Sequence, residues 1–133
     1  MGEAFTAGVS GSGGIKAQLD YRSVELNSTG SGGFDAKLRT TNLSLRCSGS
    51  GEAYVDGAAD QADIAVTGSG RVGARDLAVA DARVLVSGSG RVELRAASSL
   101  EVSISGSGEV RYWGSPRVDQ RLSGSGRVSK AGD

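Results

Sequence analysis

The chain has 133 residues, with 15 Lys and Arg against 15 Asp and Glu, no His and one Cys. This composition excludes an intramolecular disulfide and any histidine-based catalytic or metal centre. It also gives no basic excess for nucleic acid, and no apolar run is long enough to span a membrane.

The tripeptide Gly-Ser-Gly recurs at Gly11, Gly30, Gly49, Gly68, Gly88, Gly106 and Gly124, at intervals of 18 to 20 residues. Such a period marks a solenoid in which each repeat stacks on the last. Three alternate apolar positions precede each tripeptide and two follow it. The first rung reads Phe5, Ala7, Val9, then Ile15 and Ala17. The second reads Val24, Leu26, Ser28, then Phe34 and Ala36; the third Leu43, Leu45, Cys47, then Ala53 and Val55. The fourth has Ala62, Ile64, Val66, Val72 and Ala74, and the fifth Ala82, Val84, Val86, Val92 and Leu94. The sixth has Leu100, Val102, Ile104, Val110 and Tyr112. The seventh frays to Val118, Gln120, Leu122, Val128 and Lys130. Strict period-2 alternation is the pattern of strands with one buried face.

The parity runs unbroken through Gly-Ser-Gly, which predicts that both glycines point inward and the serine outward. All length variation falls in one turn per rung, as at Arg39–Asn42, Ala58–Gln61 and Leu77–Asp81, and the only Pro, Pro116, lies in such a turn. Strands of equal phase stack in parallel, and parallel crossovers are right-handed. The prediction is an all-β, right-handed parallel β-helix (β-solenoid) of about seven rungs, as one domain over residues 1–133.

Several motifs suggest chemistry and have structural explanations. Gly68–Gly73 fits a dinucleotide fingerprint, but a strand follows where that motif needs a helix N-terminus. Met1–Thr6 fits an N-myristoylation pattern, yet the repeat places Phe5 in the core. Asn27 and Asn42 head glycosylation sequons that act only in a eukaryotic secretory host. Glu101 and Asp119 are neighbours in one outward column, close enough to share a cation, but Arg83 and Arg121 stand beside them. Cys47 is read as a buried apolar filler. No catalytic residue, metal ligand or cofactor site is assigned.

The most regular surface feature is the hydroxyl ladder Ser12, Ser31, Ser50, Ser69, Ser89, Ser107 and Ser125, beside a second row from Ser10 to Ser123. Flat hydroxyl arrays suit lattice or polysaccharide ligands. Ser also fits a crowded corner and bonds turn backbone, which is the simpler reading. At the ends, Phe5, Ala7 and Val9 and then Arg127, Val128 and Ser129 form open edges able to pair head to tail into a homo-oligomer or filament.

The block Val86–Val92, Val-Ser-Gly-Ser-Gly-Arg-Val, resembles the head GIN domain family of bacterial auto-transporter adhesins. So does the closing segment, with its Tyr112-Trp113 pair, Gly114-Ser115-Pro116 turn and last rung Leu122–Val128. The resemblance covers nearly the whole chain. It implies a right-handed parallel β-helix without known enzymatic activity, exported to the periplasm or cell surface; a surface polysaccharide or protein is the candidate ligand, and nothing in the sequence names it. Members of that family carry an additional N-terminal β portion and an export signal, and no signal peptide is read here. A structural subunit that self-assembles end to end is the alternative.

Overall fold

The computed structural model describes residues 2–11, 14–114 and 116–132. They form nine strands: β1 Gly2–Gly11, β2 Gly14–Gly30, β3 Gly33–Gly49, β4 Glu52–Gly68, β5 Arg71–Gly88, β6 Arg91–Gly106, β7 Glu109–Trp113, β8 Arg117–Ser123 and β9 Arg127–Gly132. All pair in parallel, in the order β1-β2-β3-β4-β5-β6-β7-β9, with β8 beside β6. The result is the parallel β-solenoid that the repeat predicts, with about six turns rather than seven rungs. The difference is geometric. Seven Gly-Ser-Gly corners enclose six circuits, and β1 and β9 lie outside the first and last corners. Strands β2 to β6 each run a whole circuit. In the last circuit Gly114, at φ +102°, separates β7 from β8.

Pairing is like on like. Val24 pairs with Leu43, Leu43 with Ala62, Ala62 with Ala82, and Ala82 with Leu100. Stacking equal positions turns each apolar column into a continuous rod of core. Leu26, Leu45, Ile64, Val84 and Val102 are all buried in one such rod. Full burial of each such side chain contributes about 1.5–3 kcal/mol.

Polar groups inside are satisfied locally. The Ser28 hydroxyl donates to the Gly32 carbonyl at 3.0 Å, and the Cys47 thiol to the Gly51 carbonyl at 3.5 Å. These are equivalent positions of adjacent turns, and both close the corner from within. Thr40 Oγ1 lies 2.9 Å from the Arg22 carbonyl and 3.1 Å from that of Asn42.

Two expectations are corrected. The first glycine of each corner does not point inward. Gly49, Gly68, Gly88 and Gly106 are exposed and adopt φ between +95° and +112°, where an L side chain is strained. Only the second glycine faces the core. At Gly90 a Cβ would meet Val66 Cγ1 of the previous turn and the Gly70 carbonyl. The variable segment is also not a turn: at positions 39–42, 58–61 and 77–81 it is continuous strand within β3, β4 and β5. It holds the buried Thr40, Ala59, Leu77 and Val79, which extend the core along a further inward run with Leu19 and Leu38. Length changes are absorbed partly ahead of it, as a register shift between Tyr54 and Gly57, and partly within it, as shifts between Ala74 and Asp81.

Candidate binding surface

Each circuit presents two outward arms, one before and one after its corner. The corner itself is a hydrogen-bonded ladder. The N–H groups of Ser50, Ser69, Ser89 and Ser107 donate to the first-glycine carbonyl of the preceding turn at 3.0–3.1 Å. Ser31, Ser50, Ser69, Ser89, Ser107 and Ser125 are exposed in a row, while Ser12 falls outside the described residues. Their backbone holds the corner, and their hydroxyls bond nothing else among the described residues. The row is thus a polar edge held rigid by its own main chain.

On the arm before the corner, Glu101 and Asp119 are register neighbours, as their column requires. Arg83 Nε binds Glu101 Oε2 at 3.2 Å, and both side chains are more than half exposed. One turn-facing pair adds to it, the Ser99 hydroxyl donating to Asp81 Oδ1 at 2.6 Å. Among the described residues no group of three Asp, Glu or Cys side chains gathers to hold a metal ion.

The arm after the corner is chemically richer. Gly14 and Gly33 leave an open groove, bounded by Lys16, Asp35, Ser31, Ser50 and Tyr54. Tyr54 is 43% exposed, and its ring lies against Gly73, which leaves room for it. Its hydroxyl donates to Glu52 Oε2 at 2.9 Å. That bond to the carboxylate raises the tyrosine pKa above its usual value, with Arg71 opposing the shift.

Further along the same arm, Arg71 pairs in register with Arg91. Neither has a carboxylate oxygen within ion-pair distance among the described residues. Glu109 Oε1 is engaged with Arg111 at 3.9 Å, and Arg75 lies over the Trp113 ring at 5.2 Å. On sequence alone these columns read as mixed, solvated charge. The adjacency of Arg71 and Arg91 is visible in the column order, but the bond of Tyr54 to Glu52 and the seat of Arg75 over Trp113 show only once the arms are folded.

At the ends, Phe5 and Ala7 are half-buried, with the Phe5 ring 5.1 Å from that of Tyr21. The Val9 side chain lies outside the described set. Val128 is half-buried, Arg127 and Ser129 are exposed, and the Arg127 N–H donates to the Gly108 carbonyl at 3.0 Å.

Comparison with solved structures finds the same architecture. A "putative adhesin" from Parabacteroides merdae superposes with a TM-score of 0.91 at 26% identity, over 93% of this chain and 53% of its own. A "putative lipid binding protein" from Parabacteroides distasonis gives 0.91 at 31% identity, over 98% and 56%. A second P. distasonis protein, a "putative adhesin", gives 0.95 at 26% identity, over 98% and 56%. The chain therefore spans little more than half the length of these relatives. No match was found among curated proteins. The family model "Putative auto-transporter adhesin, head GIN domain" matches residues 3–116, which include six of the seven corners. The chain belongs to this head GIN domain family.

Proposed function

We propose that this chain is a non-enzymatic, exported binding module that presents a rigid array of outward side chains to a ligand at the bacterial cell surface. The observation that carries the reading is the in-register arm after the corner. It sets polar and aromatic groups from Lys16 to Trp113 on one hydrogen-bonded sheet, open to solvent along its length. The family description and the relatives described as adhesins support binding over catalysis. A rigid sheet loses little entropy when its side chains engage a partner.

The test is solid-phase binding of purified protein to extracted bacterial envelope polysaccharide and envelope protein. Saturable binding with no chemical change in the bound material is expected. Failure to bind either fraction overturns the reading, and so does turnover of the bound material.

A second reading is end-to-end assembly. It is favoured by Phe5, Ala7 and Val128, which remain half-buried, and by Leu122 at 44% exposure. Sedimentation across the micromolar range tests this. Association that Val128→Pro weakens supports it, because that change removes one edge donor. A concentration-independent monomer rejects it.

A further inference from the structure

Overall neutrality conceals a one-sided distribution of charge. From β5 onward, the arm after each corner carries Arg71, Arg75, Arg91, Arg95, Arg111 and Arg127, against only Asp76, Glu93 and Glu109. On the other arm Asp63, Arg83 and Glu101 alternate in sign in register, before Glu101 meets Asp119. Like charges directly opposite one another destabilise a ladder. Arg71 and Arg91 stand opposite one another, with Glu52 before Arg71 and Glu109 after Arg91 in the same register column, yet neither guanidinium has a carboxylate oxygen within ion-pair distance among the described residues.

We propose that this face binds a linear acidic polysaccharide, with Arg71 and Arg91 holding carboxylate or sulfate groups and Arg75, Arg95 and Trp113 forming a second row. The proposal deepens the reading of the chain as a binding module and rests on it. Guanidinium groups present a planar fork that matches such anions two bonds at a time. Rungs about 4.8 Å apart set the two arginines along the solenoid axis, so they meet successive groups of a chain lying on the sheet. Arg95 pairs with Trp113 in register, and Arg75 lies over the half-buried indole, so the ring seats the guanidinium of the second row beside that track.

The same features disfavour other polyanions. Duplex DNA carries one charge per about 1.7 Å of axis. A face that interleaves three carboxylates with its arginines suits a polymer of lower charge density. A bilayer would need apolar side chains to enter it. The exposed leucines, Leu85 and Leu122, both lie on strand segments before a corner, on the other arm.

Calorimetric titration with polygalacturonate tests the proposal, with neutral dextran, poly(dT) and vesicles of phosphatidylglycerol in phosphatidylcholine as comparisons. The wild-type protein is expected to bind polygalacturonate and to lose affinity as salt rises. Arg71→Gln and Arg91→Gln each weaken binding about tenfold, the value of one charged hydrogen bond. The double variant loses it while its circular dichroism stays unchanged. Arg83→Gln, on the other arm, leaves it intact. Equal binding by the double variant overturns the proposal, as does absence of polygalacturonate binding or tighter binding to dextran, poly(dT) or vesicles. If the double variant still binds envelope material, only this proposal fails. If the wild type binds none, the binding-module reading fails with it.

Discussion

Arg75 reaches across β6 to lie over the ring of Trp113, two strands away in the sheet order. The three extra residues of β5 at this point, Arg75 to Leu77, have no register partners in β6. They give the arginine its reach. An exposed contact of this kind contributes about 0.5–1 kcal/mol. Arg75→Ala is expected to lower stability by that amount and to shift the emission of Trp113, the only tryptophan. Urea unfolding followed by fluorescence measures both. An unchanged spectrum and midpoint would reject the contact.

Val84 and Arg83 are sequence neighbours with opposite fates. Val84 is 1% exposed in the middle of its rod, whereas the Arg83 side chain is 71% exposed. Val84→Asp places an unpaired charge in a narrow core and is expected to cost several kcal/mol, as is Ile64→Asp. Arg83→Ala removes only a surface ion pair and should cost less than about 1 kcal/mol. Circular dichroism with urea titration separates the two. A tolerated Asp at Val84 would contradict the buried column.

The corner glycines make a finer test. Gly90→Ala presses a methyl group against Val66 and the Gly70 carbonyl, an overpacking that costs about 1–3 kcal/mol. Ser89→Ala next to it should change stability by no more than about 0.5 kcal/mol. Combining Gly90→Ala with Val66→Ala should cost less than the sum of the two single changes, because the second removes the group that the first strikes. Additive losses would show that the contact does not govern the corner.

Cys47 is buried, and burial pushes its thiol pKa above the ordinary value. The folded chain therefore holds the thiol proton more tightly than the unfolded chain. The stability this confers is complete below the ordinary thiol pKa and is lost as pH rises through the raised folded value. A thiol reagent should leave the native protein unmodified at neutral pH and react as the solution becomes strongly alkaline. Cys47→Ser should stay within about 1 kcal/mol of wild type, since Ser28 makes the equivalent bond one turn earlier. Rapid labelling at neutral pH would contradict the burial.

The columns from Phe5 to Leu122 were legible because a corner of fixed length keeps alternation in phase from turn to turn. The buried run through Leu38, Thr40, Ala59, Leu77 and Val79 was not. It lies where rung length changes, so aligning rungs by position scrambles it, and Thr40 hides a core position behind a hydroxyl. The inward first glycine was a parity error. Counting by twos assumes extended backbone, and a φ near +100° at Gly49 breaks that count. On the surface, Arg71 beside Arg91 follows from the column alone. Arg75 over Trp113 does not, because the irregularity at Arg75–Leu77 displaces it from any column.

The corner ladder has a mechanical consequence. Its N–H to carbonyl bonds, such as Ser69 to Gly49 and Arg91 to Gly70, join one turn to the next, as do the pairings of the arms. A pull along the stack loads these bonds lengthwise, so they give way circuit by circuit from whichever end bears the force. Each circuit of 18 to 20 residues would release about 60 Å of chain. Anchored at one end and held at the other, the solenoid would unreel in steps, dissipating load before the contact it carries is broken.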